Sequence, residues 1–338
     1  MLQANAGQPC HTPAFAHPMA VPIDMSTSSS SSSSPSPSAS SSAVPSGSMA
    51  AGIAMALLGS IAFSGKAIIV KLAYRYGVDP VTLLMYRMLF ALPVFLLMGW
   101  WAGRGKPGLV LRDWLGVAWL GFTGYYLASY LDFAGLHYIS ASLERLILYL
   151  NPTLVLLLGM LMYRKRPQPA QWVAMGVSYA GVLLVFGHEM RFDGWGTAIG
   201  AGLVLGSAVS YAVYLVYSGE LVKRLGSLRL AGLASSAACV FCILQFVVTQ
   251  PLSAAVVAPE VIGLSVLNAT ACTVIPVLLV MMAIERIGPG LAAQVGMIGP
   301  MSTILMGIWL LGEPFNAWIV AGTALVMGGV YILSLIHI

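Results

Sequence analysis

From Met49 onward the chain alternates between apolar runs of about 20 residues and short polar punctuation. The runs fall at roughly 50–73, 80–101, 113–135, 140–163, 168–187, 196–218, 229–250, 261–284, 289–311 and 315–336. Each is long enough to cross a hydrocarbon layer of ~30 Å as a helix. The runs are unbroken and lack the period-two alternation of barrel strands, so they predict helices. The connections are short and none could fold as a domain. Any chemistry must therefore take place between helices. The expected fold class is an all-α integral membrane protein with ten transmembrane helices.

Residues 1–48 follow a different pattern. SSSSSSSPSPSASSS is low in complexity and offers nothing to bury, so this stretch reads as a disordered tail rather than a secretory signal.

Composition sharpens the class. Charged residues make up only 8% of the 338, against roughly 25% in ordinary soluble domains. A soluble core of this size could not stay dispersed with so few. The net charge of +5 is not a nucleic-acid signal, because the cations sit in short clusters between apolar runs. With the amino terminus inside, Arg104, Lys106, Arg112, Arg164, Lys165, Arg166, Lys223, Arg224, Arg229 and Arg286 face the cytoplasm; Lys71, Arg75, Arg145 and Arg191 do not. That imbalance predicts cytoplasmic termini at a cell (inner) membrane. Cys239 and Cys242 form a lone C-x-x-C inside an apolar run and read as small packing residues.

The halves resemble each other. Placing Pro152 on Pro300 also places Ile139 on Ile287 and Leu143 on Leu291. With a small gap, Trp172 and Gly176 then match Trp318 and Gly322. Five spans per half is odd, so the second copy is expected upside down. The boundaries expected are 49–187 for the first five-helix repeat and 188–338 for the second. Inverted repeats place a substrate site near the midplane between the halves and allow alternating access.

The ten spans, this duplication, Arg87 in PVTLLMYRMLFALP, Pro152, and the GEP at Gly312, Glu313 and Pro314 resemble the drug/metabolite transporter superfamily, EamA type. The resemblance covers about residues 50–336 and implies a secondary transporter, often an exporter of amino acids or other small metabolites. Members often carry an acid after the fourth span, where this chain reads YRKRP. The acidic position stands only in the second half, at Glu313.

The candidate substrate-binding residues are polar groups at membrane depth, where a charge is costly and usually faces a partner or a cavity. Ser140, Glu144, Ile147 and Asn151 share a helix face, with Arg145 and Tyr149 at its edge. Pro152 lacks the N–H that would continue that helix. Arg87 lies about 10 Å below the outer surface, and Lys66 is two turns from the end of the first span. Glu144 is expected to pair with Lys66 or Arg87. Tyr126 and Tyr130 stand at i, i+4 in the third span, with Asp132 beyond them. Tyr211 and Tyr214 lie in the sixth span, Asn268 in the eighth and Gln294 in the ninth. Together they could hydrogen-bond and stack on a small molecule.

No H-E-x-x-H, Walker A or G-x-S-x-G motif is present, and no catalytic, metal or cofactor site is expected. The partners expected are a small-molecule substrate and the lipid bilayer, with protons as a coupling ion or, alternatively, plain facilitation. No nucleic acid or obligatory protein partner is expected. The competing function is an intramembrane enzyme acting on a lipid. Such an enzyme would want clustered acids and histidines at the interface. His11, His17, His137, His188 and His337 are scattered in tails and loop edges.

Overall fold

The computed structural model describes residues 46–163, 168–296, 298–314 and 316–336, and among them there is no strand. The long helices are α1 (Ser46–Tyr74), α2 (Pro80–Gly103), α7 (Pro169–Asp193), α8 (Trp195–Leu225), α9 (Ser227–Thr249) and α13 (Ala317–Ile336). The rest are interrupted. α3 (Leu111–Leu120) passes through a π-helical stretch, Gly121–Leu127, into α4 (Ala128–Leu136). α5 (Ala141–Leu148) is followed by α6 (Asn151–Tyr163). α10 (Pro259–Ala269) passes through Thr270–Val274, also π-helical, into α11 (Ile275–Gly296), and α12 (Gly299–Met306) ends in a third such stretch, Gly307–Leu311.

Local chemistry sets the starts. Pro80 opens α2 with its φ already helical, while Asp79 accepts from the Val81 and Thr82 amides. Ser140 caps α5 through the Leu143 amide.

Seven helical stretches among the described residues are long and apolar enough to cross a membrane: Met49–Tyr74, Pro80–Gly103, Ala141–Leu161, Pro169–His188, Trp195–Gly219, Ser227–Thr249 and Pro259–Val280. Met301–Leu311 and Ala317–Ile332 are apolar but shorter. The path from Leu111 to Leu136 carries Arg112, Asp113 and Asp132, so it is less apolar than its length would suggest.

The bundle wears its apolar side chains outward. All eight tryptophans are exposed, as are Leu96, Leu97, Val247 and Val248. Arg87, Asp132, Glu144, Asn268 and Thr273 are buried. An apolar coat around an interior that also buries charged groups suits a lipid solvent and would aggregate in water.

The packing is two-fold. α1 lies on α11 and α8 on α4; α2 lies on α9 and α7 on α13. Exchanging the halves turns the first pair into the second and returns each of the others to itself. At the α2–α9 crossing the backbones nearly touch. A Cβ at Gly232 would sit 2.6 Å from the Gly99 nitrogen, so only small residues fit there.

The break between α5 and α6, at Tyr149 and Leu150, comes just before Pro152; that between α11 and α12 comes just before Pro300. The offset of 148 residues that carries one proline onto the other also relates the π-helical stretches of the third and eighth spans. One expectation fails here. The polar gap expected at 285–288 is inside α11, and the chain breaks instead ahead of Gly299. Proline at 300 brings no N–H, so the Gly296 carbonyl loses its helical partner, and the Tyr149 hydroxyl donates to it instead at 3.0 Å.

Candidate functional site

A cavity of about 410 Å³ lies between the halves, within the range of small-molecule sites. Its walls follow the same two-fold pattern. Phe63 and Tyr211, Arg87 and Ser235, Tyr125 and Thr273, Ser129 and Val277, and Asp132 and Val280 are all related by 148, and all ten line it.

The charged residues cluster at one end. The Lys66 ammonium donates to Asp132 Oδ2 and lies 3.3 Å from Glu144 Oε1. Arg145 stands 3.9 Å from Glu144 and donates through Nε to Thr303 Oγ1 at 3.0 Å. A second Arg145 nitrogen reaches the Phe63 carbonyl at 3.3 Å. Glu144 is fully buried and does not meet headgroups. Two carboxylates thus share one ammonium, and an arginine bridges α5 to both α1 and α12. Removing Lys66 would leave two buried carboxylates without their shared cation.

Arg87 stands apart from these pairs. It is 6% exposed. Its Nε donates to Thr273 Oγ1 at 2.9 Å, and its guanidinium lies over the Phe133 ring. The pairing expected for Glu144 thus falls on Lys66 and not on Arg87.

The polar end is closed on one side by a contact between the halves. Glu313 accepts from the Ala141 amide at 2.7 Å and from the Ser142 hydroxyl at 2.7 Å, capping α5. An anion at a helix N-terminus takes up amides that have no partner within the helix. Gly312, with φ at 71°, makes the turn that delivers the acid. Ser64 adds a bond to the Gly299 carbonyl at 2.8 Å.

Of the expected residues, Lys66, Arg87, Tyr149, Asn151 and Tyr211 line the cavity. Glu144 sits behind it. The helix breaks at Tyr149 and Leu150, so Asn151 does not continue the Glu144 face; Arg145, Leu148 and Tyr149 take the wall. Tyr126 and Tyr130 also miss it. They pack on the apolar core, and Tyr126 meets Phe122 and Phe241. The cavity face of that span is Tyr125, Ala128, Ser129 and Asp132. Tyr214 forms a second layer, its ring 5.3 Å from Tyr125 and 5.4 Å from Tyr211. Asn268 is buried off the wall, its carbonyl accepting from Thr273. The Gln294 side chain lies outside the described residues.

Sequence reading missed Asp132 and Arg145 as members of the cluster, and Thr273 and Thr303 as their partners. The first two were legible as charges at membrane depth. A threonine inside an apolar run carries no such signal. Cys239 and Cys242 are buried in the core, with Cys239 Sγ 3.7 Å from Met88 Sδ.

A lipid-facing bundle around a cavity lined by charged, aromatic and apolar side chains is the architecture of a multi-pass membrane transporter. The chain belongs to the EamA-like transporter family, which matches residues 50–187 and 198–335, two stretches again offset by 148. It is 32% identical over 295 residues to the uncharacterized transporter YcbK of Bacillus subtilis, covering 83% of this chain and 91% of that protein. It is 22% identical over 274 residues to an uncharacterized transporter of Archaeoglobus fulgidus, covering 80% and 93%. A solved crystal structure with 18% identity superposes with a TM-score of 0.59, over 85% of this chain and 97% of that one, which speaks for the fold alone.

Proposed function

We propose that this protein is a secondary transporter that carries small metabolites, such as amino acids, across the cell membrane by alternating access. Ten spans in two inverted five-helix repeats provide two symmetry-related shapes. The observation that carries the reading is the cavity between the halves, lined by matched positions, with buried ion pairs at its closed end.

The Lys and Arg distribution puts the α2 C-terminus and the α9 N-terminus in the cytoplasm. The wall residues Phe95, Ser235 and Val280 then lie toward the cytoplasmic side. The Glu313 cap on α5 and the bond from the Tyr74 hydroxyl to the Phe133 carbonyl lie toward the outside. In this arrangement the cavity loads from within, and release outward requires the Glu313 cap to part. Run in that order, the cycle is export.

The test is counterflow in proteoliposomes preloaded with a mixture of unlabelled amino acids, each labelled amino acid being presented outside in turn. Uptake above empty liposomes for at least one amino acid is the expected result. No counterflow of any solute would remove the proposal. Collapsing the pH gradient in the same vesicles reads proton coupling.

A further inference from the structure

The cavity is lined or backed by three cations, Lys66, Arg87 and Arg145, and by two carboxylates, Asp132 and Glu144. Lys66 engages both acids, and Arg145 leans on Glu144. Among the described residues no carboxylate lies within 4.0 Å of Arg87. Its Nη1 is buried with no hydrogen-bond partner. A buried guanidinium normally finds a carboxylate or a full set of acceptors, because an unmet charge-assisted donor is costly.

The site holds Arg87 firmly nonetheless. Thr273 fixes Nε, and the Phe133 ring supports the guanidinium plane with its centroid 5.2 Å away. One edge of the fork is therefore spent, while the planar group keeps donors for a ligand. A planar fork matches a carboxylate, which accepts two parallel N–H bonds.

We propose that Arg87, positioned by Thr273, is the subsite that binds the carboxylate of a small monoanionic or zwitterionic ligand. This rests on the transporter reading of the same cavity and names the chemistry that it recognises. The charge count suits a monoanion, because one further negative charge balances the cluster; a zwitterion offers the same carboxylate to Arg87 without changing the net charge. Phe63, Tyr125 and Tyr211 on the remaining walls suit an apolar or aromatic body on that ligand. Arg87 stands where the second half has Ser235, so the anion subsite occupies one side of the two-fold cavity and sets the ligand's direction in it.

The experiment is thermal stabilisation of the purified full-length protein in detergent by 3-phenylpropionate and by its neutral isostere 3-phenylpropionamide. The carboxylate is expected to bind at least about tenfold more tightly than the amide. Arg87→Gln should bring the two to within about twofold of each other. Thr273→Val, which leaves the guanidinium in place but unfixed, should weaken the carboxylate about threefold to tenfold and leave the amide unchanged. Size-exclusion profiles and unliganded melting show whether each variant is folded, and Thr273→Val carries the test if Arg87→Gln is not. Equal binding of the two probes, no stabilisation by either, or a preference that survives in folded Arg87→Gln would overturn the subsite.

Counterflow separates this result from the transporter reading. Flux in wild-type vesicles without any carboxylate preference sinks the subsite alone. An Arg87-dependent preference without flux of any solute sinks the transporter reading alone.

Discussion

The two halves share a frame but not a chemistry. The offset of 148 superimposes the helix breaks before Pro152 and Pro300, two of the three π-helical stretches, and five pairs of wall positions. Yet Lys66, Arg87, Asp132, Glu144 and Arg145 all come from the first half. Their counterparts are Tyr214, Ser235, Val280, Ala292 and Ala293. The second half answers with hydroxyls: Thr273 takes Arg87, and Thr303 takes Arg145. Its acid at the interface, Glu313, caps the helix that carries Glu144. Duplication supplies a symmetric frame, whereas recognition of one end of a ligand requires asymmetry. A charge placed on both sides would meet its own copy across the cavity.

The comparison predicts unequal damage. Lys66→Met should be the most harmful single change, because it leaves Asp132 and Glu144 buried together without their shared cation. Breaking a buried pair costs about 3–5 kcal/mol, so a large fall in melting temperature and loss of flux are expected. Adding Asp132→Asn should restore part of the stability, since one stranded charge is gone. The mirror change, Tyr214→Phe, should cost far less. Melting curves of the four proteins decide it, and equal damage from Lys66→Met and Tyr214→Phe would refute the one-sided site.

Glu313→Gln is expected to act more gently and differently. The glutamine can still accept one bond at α5, but loses the charge at the helix N-terminus, about 1–2 kcal/mol. On the alternating-access reading this lowers the barrier to opening on that side. A cysteine at Ser140 should then be alkylated from outside about tenfold faster in Glu313→Gln than in the parent. An unchanged rate would mean that the cap is not a gate. Glu313 has no acidic counterpart after the fourth span, which reads Arg164, Lys165 and Arg166, so the gate would also be one-sided.

Much of this fold was legible because the solvent made it so. Lipid demands long apolar runs, and α1, α2, α8 and α9 fall where those runs were expected to within a few residues, apart from the polar extension of α8 to Leu225. Pro152 and Pro300 marked the repeat because a missing N–H has the same consequence in both halves. The break at 285–288 was misjudged because polar residues there read as a loop, whereas backbone hydrogen bonding, not polarity, ends a helix. Charges at depth singled out Lys66, Arg87 and Glu144, of which Arg87 and Glu144 are buried and Lys66 is partly buried. Which face each helix turns inward was not legible. In a span that is apolar all round, periodicity gives no inward direction.

The third span shows the remedy and gives the finest test. Tyr125 and Tyr126 are neighbours in sequence, and the apolar pattern cannot choose between them. Asp132 can, because a charge must face inward, and two turns back from it along the helix is Tyr125. The structure agrees: Tyr125 is on the wall with its hydroxyl 3.4 Å from that of Tyr214, while Tyr126 rests on Phe241. Tyr125→Leu should reduce counterflow about fivefold or more, through loss of one hydrogen-bonding aromatic at the cavity. Tyr126→Leu keeps an apolar group against Phe122 and Phe241 and should change flux less than about twofold. The reverse ranking would mean that the helix turns its other face to the cavity, and that the two-fold match of Tyr125 with Thr273 is accidental.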